Sequence, residues 1–282
     1  MPGWRPEMRQ GVSAVRAIVL AGCGAWPGRR PRSTVPVLAY HSIDASGSRV
    51  SVAPGAFRRQ MDWLKAHGYQ ALTVSELADA LHAGGLPARS VAVTFDDAYR
   101  NVFEVAIPYL QGLGFRATVF VPTDKVGRYN DWSGPRVPRI AIASWDEIRT
   151  PAAAAAIEVG AHGCTHARLG MLPREQAGHE VTRSREELQS RLGLGVSSFC
   201  YPWGMVTAPV RALVVDAGYR AACTTKWGHV CVGDDPFLLR RIDVHAGMLF
   251  GEFRASLTPA VEQCRALWER SRLPATLLRR RQ

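Results

Sequence analysis

Two short stretches gather the side chains that metal-assisted hydrolysis requires: Thr94-Phe95-Asp96-Asp97 and His162-Gly163-Cys164-Thr165-His166. Two imidazoles and one carboxylate can hold a divalent cation and leave positions open for water and substrate. The second carboxylate is then free to take a proton from that water. Each stretch also has a plainer reading. Paired aspartates at a turn often cap the next helix, and in a chain with eight histidines two can fall four apart by chance. Placement favours the chemistry. Each stretch directly follows an apolar run, Ser90–Phe95 and Ile157–Ala161, that reads as a buried strand. Ligands in α/β folds gather at the carboxyl ends of strands. Cys164, between the two histidines, is read as a bystander rather than a soft ligand.

A third cluster, Phe199-Cys200-Tyr201-Pro202-Trp203-Gly204, also ends a strand-like run. Such a turn can offer backbone N–H groups to an oxyanion and a flat wall to a sugar ring; a purely structural turn fits the same residues. Trp132, Tyr201, Trp203 and Trp227 are candidate walls. His41 follows the first strand-like run and His245 the last. Each reads equally as a core-rim histidine or a general acid, and spacing does not choose between them.

The elements that must position these residues alternate along the chain. Pro36–Tyr40, Ala117–Val121, Val196–Tyr201, Arg220–Thr224 and Leu238–Val244 read as further strands. Helical periodicity fits 54–67, 74–82, 101–113, 144–156, 173–192 and 207–217. Ser144 with Glu147 three residues on makes a capping box. Residues 123–143 mix Gly, Pro, Arg and aromatics without a period, which predicts a long loop rimming a site. About seven βα units without a glycine-rich dinucleotide fingerprint indicate an α/β parallel barrel rather than a Rossmann sheet. That alternation also argues against a two-histidine, one-carboxylate iron oxygenase, whose usual scaffold is β-rich.

Bulk properties bound the function. The 282-residue chain has a net charge of +11, concentrated at its ends. Residues 1–32 carry six arginines against Glu7, and residues 265–282 carry six against Glu269. The segment between is close to neutral and does not interleave basic and aromatic residues, so no nucleic-acid partner is expected. The tails read as solvated, flexible ends, with contact to an anionic membrane as their alternative. Leu20-Ala21-Gly22-Cys23 has the form of a lipoprotein cleavage site, yet Arg16 cuts the apolar stretch below the roughly 7–15 residues of a secretory segment. Export and lipid attachment, or a cytoplasmic location, stay open on sequence grounds. Six cysteines without C-x-x-C spacing argue against a structural zinc site or disulfide scaffold, and no obligate protein partner is indicated.

Taken in order, the three clusters resemble the polysaccharide deacetylase family (NodB-homology domain, carbohydrate esterase family 4). The resemblance runs over roughly Val35 to Met248. The opening Ala39-Tyr40-His41-Ser42-Ile43 is similar to the poly-N-acetylglucosamine deacetylase branch, whose motifs are permuted. The resemblance implies a distorted (β/α)7-8 barrel in a single domain that removes acetyl groups from an N-acetylated glycan. It also implies an organisation of a basic leader (1–34), a catalytic domain (35–257) and an Arg-rich helical tail (258–282). Asp97, His162 and His166 would hold the metal, by default Zn2+, with Co2+ or Ni2+ as alternatives. Asp96 would be the general base and His41 the general acid, His245 being the alternative acid. Tyr201 and Trp203 would serve substrate or oxyanion, and Arg240 or Arg241 would pair with the base. The chain departs from the family pattern at Ala98, where Gly is usual after the aspartates. Gly163 replaces the usual Ser or Thr, and Cys200 lies near the place of a frequent arginine. The rival within the resemblance is a non-catalytic carbohydrate-binding domain.

Overall fold

Parallel strands put all their carboxyl ends on one rim, and that decides where the three clusters meet. The computed structural model describes residues 33–258 apart from Arg136. The basic leader and the C-terminal tail lie almost wholly outside those residues. The strands are β1 (Thr34–Tyr40), β2 (Gln70–Leu72), β3 (Ser90–Phe95), β4 (Ala117–Val121), β5 (Ile157–Ala161), β6 (Ser198–Cys200), β7 (Ala221–Trp227), β8 (His229–Cys231) and β9 (Leu239–Asp243). Seven of them, in the order β1-β3-β4-β5-β6-β7-β9, close a ring in which every neighbouring pair is parallel.

Both β3 and β4 are buried along their whole length. Their near-continuous apolar sequence is what a strand with helices on one side and a barrel core on the other demands. The two strands absent from the sequence reading are peripheral. β2 adds to the first half of β3 outside the ring, and β8 runs antiparallel to the start of β1. Each has three residues, too few to show a period.

The helices are α1 (Pro54–Ala66), α2 (Val74–His82), α3 (Ile107–Gly112), α4 (Trp145–Ala153), α5 (Arg174–Leu192), α6 (Ala208–Asp216) and α7 (Phe250–Ser256). Capping boxes start α2 (Thr73 with Glu76) and α4 (Ser144 with Glu147), and the Thr207 hydroxyl caps α6. The single helix expected over 101–113 is divided. Val102–Ala106 is a π-helical turn leading into α3. Pro108 has no N–H for the carbonyl four residues earlier, and the wider turn fits around that gap. α4 ends earlier than its periodicity suggested, just past Pro151.

The loop over 123–143 is present and internally tied. The Asn130 amide donates to the Pro138 carbonyl, and its oxygen accepts the Ile140 N–H. Ser33–Gly247 form one compact unit, and α7 is not part of it. No helix among the described residues is long and apolar enough to cross a membrane.

Inside the barrel the fit is close. A Cβ on Gly160 of β5 would lie 2.5 Å from Phe120 of β4 and 2.6 Å from Ser198 Oγ of β6. Gly160→Ala should therefore destabilise the fold by about 1–3 kcal/mol through overpacking, read as a lower urea midpoint. An unchanged midpoint would mean that the β4–β5–β6 wall is looser than described.

Candidate active site

Register brings the first two site residues together. Tyr40 of β1 pairs with Phe95 of β3, so the residues that follow, His41 and Asp96, leave the rim side by side. His41 Nε2 lies 3.8 Å from Asp96 Oδ2. Directly after Asp96 the backbone turns left-handed, with φ of 70° at Asp97 and 51° at Ala98. On a straight strand the two aspartates would face opposite sides; the turn lets both carboxylates serve one pocket. Ala98 thus stands in a conformation that favours glycine, which accounts for the glycine usual there in similar sequences.

The strand β5 delivers His162, and the Gly163–Thr165 turn brings His166 back beside it. Ring nitrogens of both histidines and an Asp97 oxygen lie within 4.8 Å of one another, all buried. Asp97 Oδ1 is 3.5 Å from His162 Nε2 and 3.2 Å from His166 Nε2. His162 Nδ1 is 2.7 Å from the Cys200 carbonyl. A carbonyl can only accept, so Nδ1 carries the proton and the Nε2 lone pair faces Asp97. Burial pushes the His162 pKa down to about 4, so the ring is neutral at physiological pH, as a metal ligand must be. Asp97 Oδ1 is buried without a hydrogen-bond partner. An unpartnered, buried carboxylate oxygen facing the His162 Nε2 lone pair and the His166 Nε2 atom fits a divalent cation. Asp97, His162 and His166 form one set that could hold such an ion; Asp96, His162 and Cys200 form a second, but there Arg241 already occupies Asp96 and Cys200.

Asp96 has a different environment. Arg241 grips it with two hydrogen bonds, Nη1 to Oδ1 and Nη2 to Oδ2, each 2.7 Å. The remaining guanidinium contacts go to the Thr224 carbonyl at 2.9 Å, Thr94 Oγ1 at 3.1 Å and Cys200 Sγ at 3.1 Å. Burial alone would raise the Asp96 carboxyl, but Arg241 outweighs it and holds the group well below the usual carboxylate range. Asp96 therefore stays ionised at any ordinary pH. For Asp97, burial is likewise opposed, chiefly by His166, and its carboxyl is also lowered.

Between the two arginines left open by sequence, strand alternation decides. Arg241 points into the barrel and is buried, while Arg240 is on the opposite face and half-buried. Arg241 occupies the space beside Cys200. His245 is not brought to this cluster: its Nδ1 accepts the Gly247 N–H at 3.1 Å. Cys164 turns away, its thiol 3.5 Å from the Glu180 carbonyl.

Tyr201 is tied into the fold. Its N–H donates to the Cys223 carbonyl at 3.1 Å, its hydroxyl donates to the Phe237 carbonyl at 3.2 Å, and its ring is buried against Phe199. Trp203 is 40% exposed, meets His166 edge-on and carries Arg168 3.9 Å above its ring. Trp132, from the 123–143 loop, stacks on His166 at 4.3 Å.

Two contributors escaped sequence reasoning. The Tyr99 hydroxyl is buried near Asp97; burial and that carboxylate push its pKa far up, so the phenol stays protonated beside Asp97. The buried Glu180 of α5 accepts the Cys164 and Thr165 N–H groups. Tyr99 lies two residues past Asp97, a faint local hint; Glu180 sits on a helix with no local sign of its target.

This rim, at the carboxyl ends of a closed parallel barrel, defines a barrel hydrolase. Residues 83–222 match the family model described as polysaccharide deacetylase, and the chain belongs to that family. It is 27% identical over 232 residues to YxkH of Bacillus subtilis, named for the same family, covering 82% of this chain and 78% of that one. It is 30% identical over 144 residues to the poly-β-1,6-N-acetyl-D-glucosamine N-deacetylase of Escherichia coli. That match covers 47% of this chain and only 21% of the Escherichia coli protein, so the chain spans about a fifth of that relative. The structure of IcaB from Ammonifex degensii superposes with a TM-score of 0.71 at 25% identity, covering 80% of this chain and 97% of that one.

Removing Arg241 tests the electrostatics. Arg241→Met leaves Asp96 buried and unpaired, at an expected loss of about 3–5 kcal/mol near neutral pH. Because the folded-state pKa of Asp96 is depressed, the contribution of the pair is complete above the unfolded value near 4 and is lost as pH falls further. Denaturation at pH 7 and pH 3 should show the gap between wild type and variant narrowing in acid. A gap independent of pH would contradict the pairing.

Proposed function

We propose that this chain is a metal-dependent N-deacetylase of an N-acetylated glycan, releasing acetate and a free amine. The observation that carries this reading is the orphaned Asp97 oxygen facing two histidine nitrogens, next to a second carboxylate clamped by Arg241. A divalent cation bound by Asp97, His162 and His166, with zinc as the default for His/Asp ligands, supplies Lewis acidity that polarises the acetyl carbonyl and acidifies water.

The remaining work belongs to the chain. Asp96 is always ionised, so it accepts the proton of the attacking water without first titrating. Arg241 fixes the plane of that carboxylate and weakens its proton affinity, which favours passing the proton on. The half-buried His41, at 3.8 Å from Asp96, donates a proton to the amide nitrogen as the C–N bond breaks. The carbonyl carbon keeps the water oxygen and leaves as acetate, and the sugar nitrogen leaves as the amine. Trp203, edge-on to His166, and Trp132, stacked on it, offer apolar faces for sugar rings. The substrate named for the Escherichia coli relative, β-1,6-linked N-acetylglucosamine, is the first polymer to try.

The test is acetate release from such oligomers by protein stripped with chelator and then given Zn2+, Co2+, Ni2+ or nothing. Release restored only by metal is expected; stoichiometric metal binding with no release would favour the non-catalytic carbohydrate-binding alternative. Asp96→Asn should retain the metal yet lower kcat by about 10²–10⁴. His41→Ala should fall comparably while His245→Ala stays near wild type, and the reverse ranking would move the acid to His245.

A further inference from the structure

The turn carrying the two histidines is a strained piece of backbone, with φ of 71° at Gly163 and 64° at His166. A left-handed non-glycine residue persists only when its surroundings over-determine it, so the hydrogen bonds of the turn can be followed one by one. On one side, the residues after β4 hold its carbonyls: Thr123 N–H donates to Gly163 O at 3.2 Å and Asp124 N–H to Cys164 O at 2.9 Å. On the other side one side chain does everything. Glu180 Oε2 accepts the N–H of Cys164 at 2.7 Å and of Thr165 at 3.0 Å, and Oε1 accepts the Thr165 hydroxyl at 2.7 Å.

We propose that Glu180 is the positioning residue of the metal-binding turn, holding the Gly163–Thr165 backbone in the shape that aims His162 and His166 at Asp97. The metal part of this inference rests on the deacetylase reading; the backbone part does not. Three observations separate it from a merely structural tie between helix and barrel. Both Glu180 oxygens are spent on this turn, and among the described residues no Lys or Arg pairs with the carboxylate. Glu180 stands within the 19-residue helix α5, so the clamp is mounted on a rigid element rather than a loop. The turn is also cut to fit it: a Cβ at Gly163 would come within 3.0 Å of Glu180 Oε2, so any side chain there would press on the carboxylate. Outer partners of this sort fix ligand orientation, and their loss typically weakens metal binding by about 10–100-fold.

The experiment compares wild type, Glu180→Gln and the nearby control Glu175→Gln. The first readout is amide hydrogen exchange at Cys164 and Thr165 in metal-free protein; the second is Zn2+ affinity, with the Co2+ absorption spectrum as a signature of ligand geometry. Glu180→Gln keeps the size of the side chain but has a single acceptor oxygen. It should speed exchange at both amides at least tenfold, weaken zinc about tenfold or more and alter the cobalt spectrum, while Glu175→Gln changes none of these. Wild-type exchange and wild-type zinc affinity in Glu180→Gln would overturn the proposal. A wild type that binds no zinc, with exchange still accelerated in the variant, would sink the deacetylase reading and leave Glu180 as the holder of the turn. Should Glu180→Gln lose the fold, Thr165→Val removes only the hydroxyl contact. It should then shift both readouts in the same direction by a smaller factor, and no shift would count against the clamp.

Discussion

A guanidinium and a carboxylate, both removed from water in the middle of the barrel, set the terms for everything around them. Each buried ion costs several kcal/mol of lost hydration, recovered only if every donor and lone pair is matched. Arg241 meets that condition by reaching three strands at once: Asp96 and Thr94 from β3 and its end, the Thr224 carbonyl from β7, and Cys200 from β6, while itself standing on β9. Such a set of partners exists only where a parallel sheet closes on itself. The ion pair and the barrel thus presuppose one another. The chemical result is a carboxylate that is ionised and held in one plane.

A few ångströms away the same rim solves the opposite problem. Beside Asp97 one carboxylate oxygen, Oδ1, has no hydrogen-bond partner, and it converges with Nε2 of His162 and of His166. Two adjacent aspartates therefore have separate duties because their surroundings differ. One is saturated by a fixed cation of the protein, and the other faces a cluster that lacks one.

Holding that contrast requires strained backbone. Among the described residues six non-glycines adopt positive φ, and four of them, Asp97, Ala98, His166 and Trp203, belong to the site. Each such residue costs on the order of 1–3 kcal/mol, so it must be held by neighbours. Those neighbours come from remote segments: Thr123 and Asp124 after β4, Glu180 on α5, and the Cys200 carbonyl at the end of β6. The loop over 123–143 adds Trp132, stacked against His166.

The sequence by itself determined the parallel barrel, because alternating apolar runs and amphipathic stretches admit few other solutions. It also determined that the aspartates, the histidine pair and the Phe199–Gly204 cluster would share one rim, since all three end strands. Several readings then required the tertiary structure. Arg241 rather than Arg240 faces inward, which depends on which face of β9 lines the core. His41 rather than His245 lies beside Asp96, which depends on the register of β1 against β3. Tyr201 is hydrogen-bonded to the Cys223 and Phe237 carbonyls, which depends on how β6 meets β7 and the segment after it. The role of Glu180 was invisible because a hydrogen bond across a fold leaves no period or spacing in the chain. Local pattern encodes which segments become strands and where they stop; what each side chain meets there is set by closure of the barrel, which no short window of sequence contains.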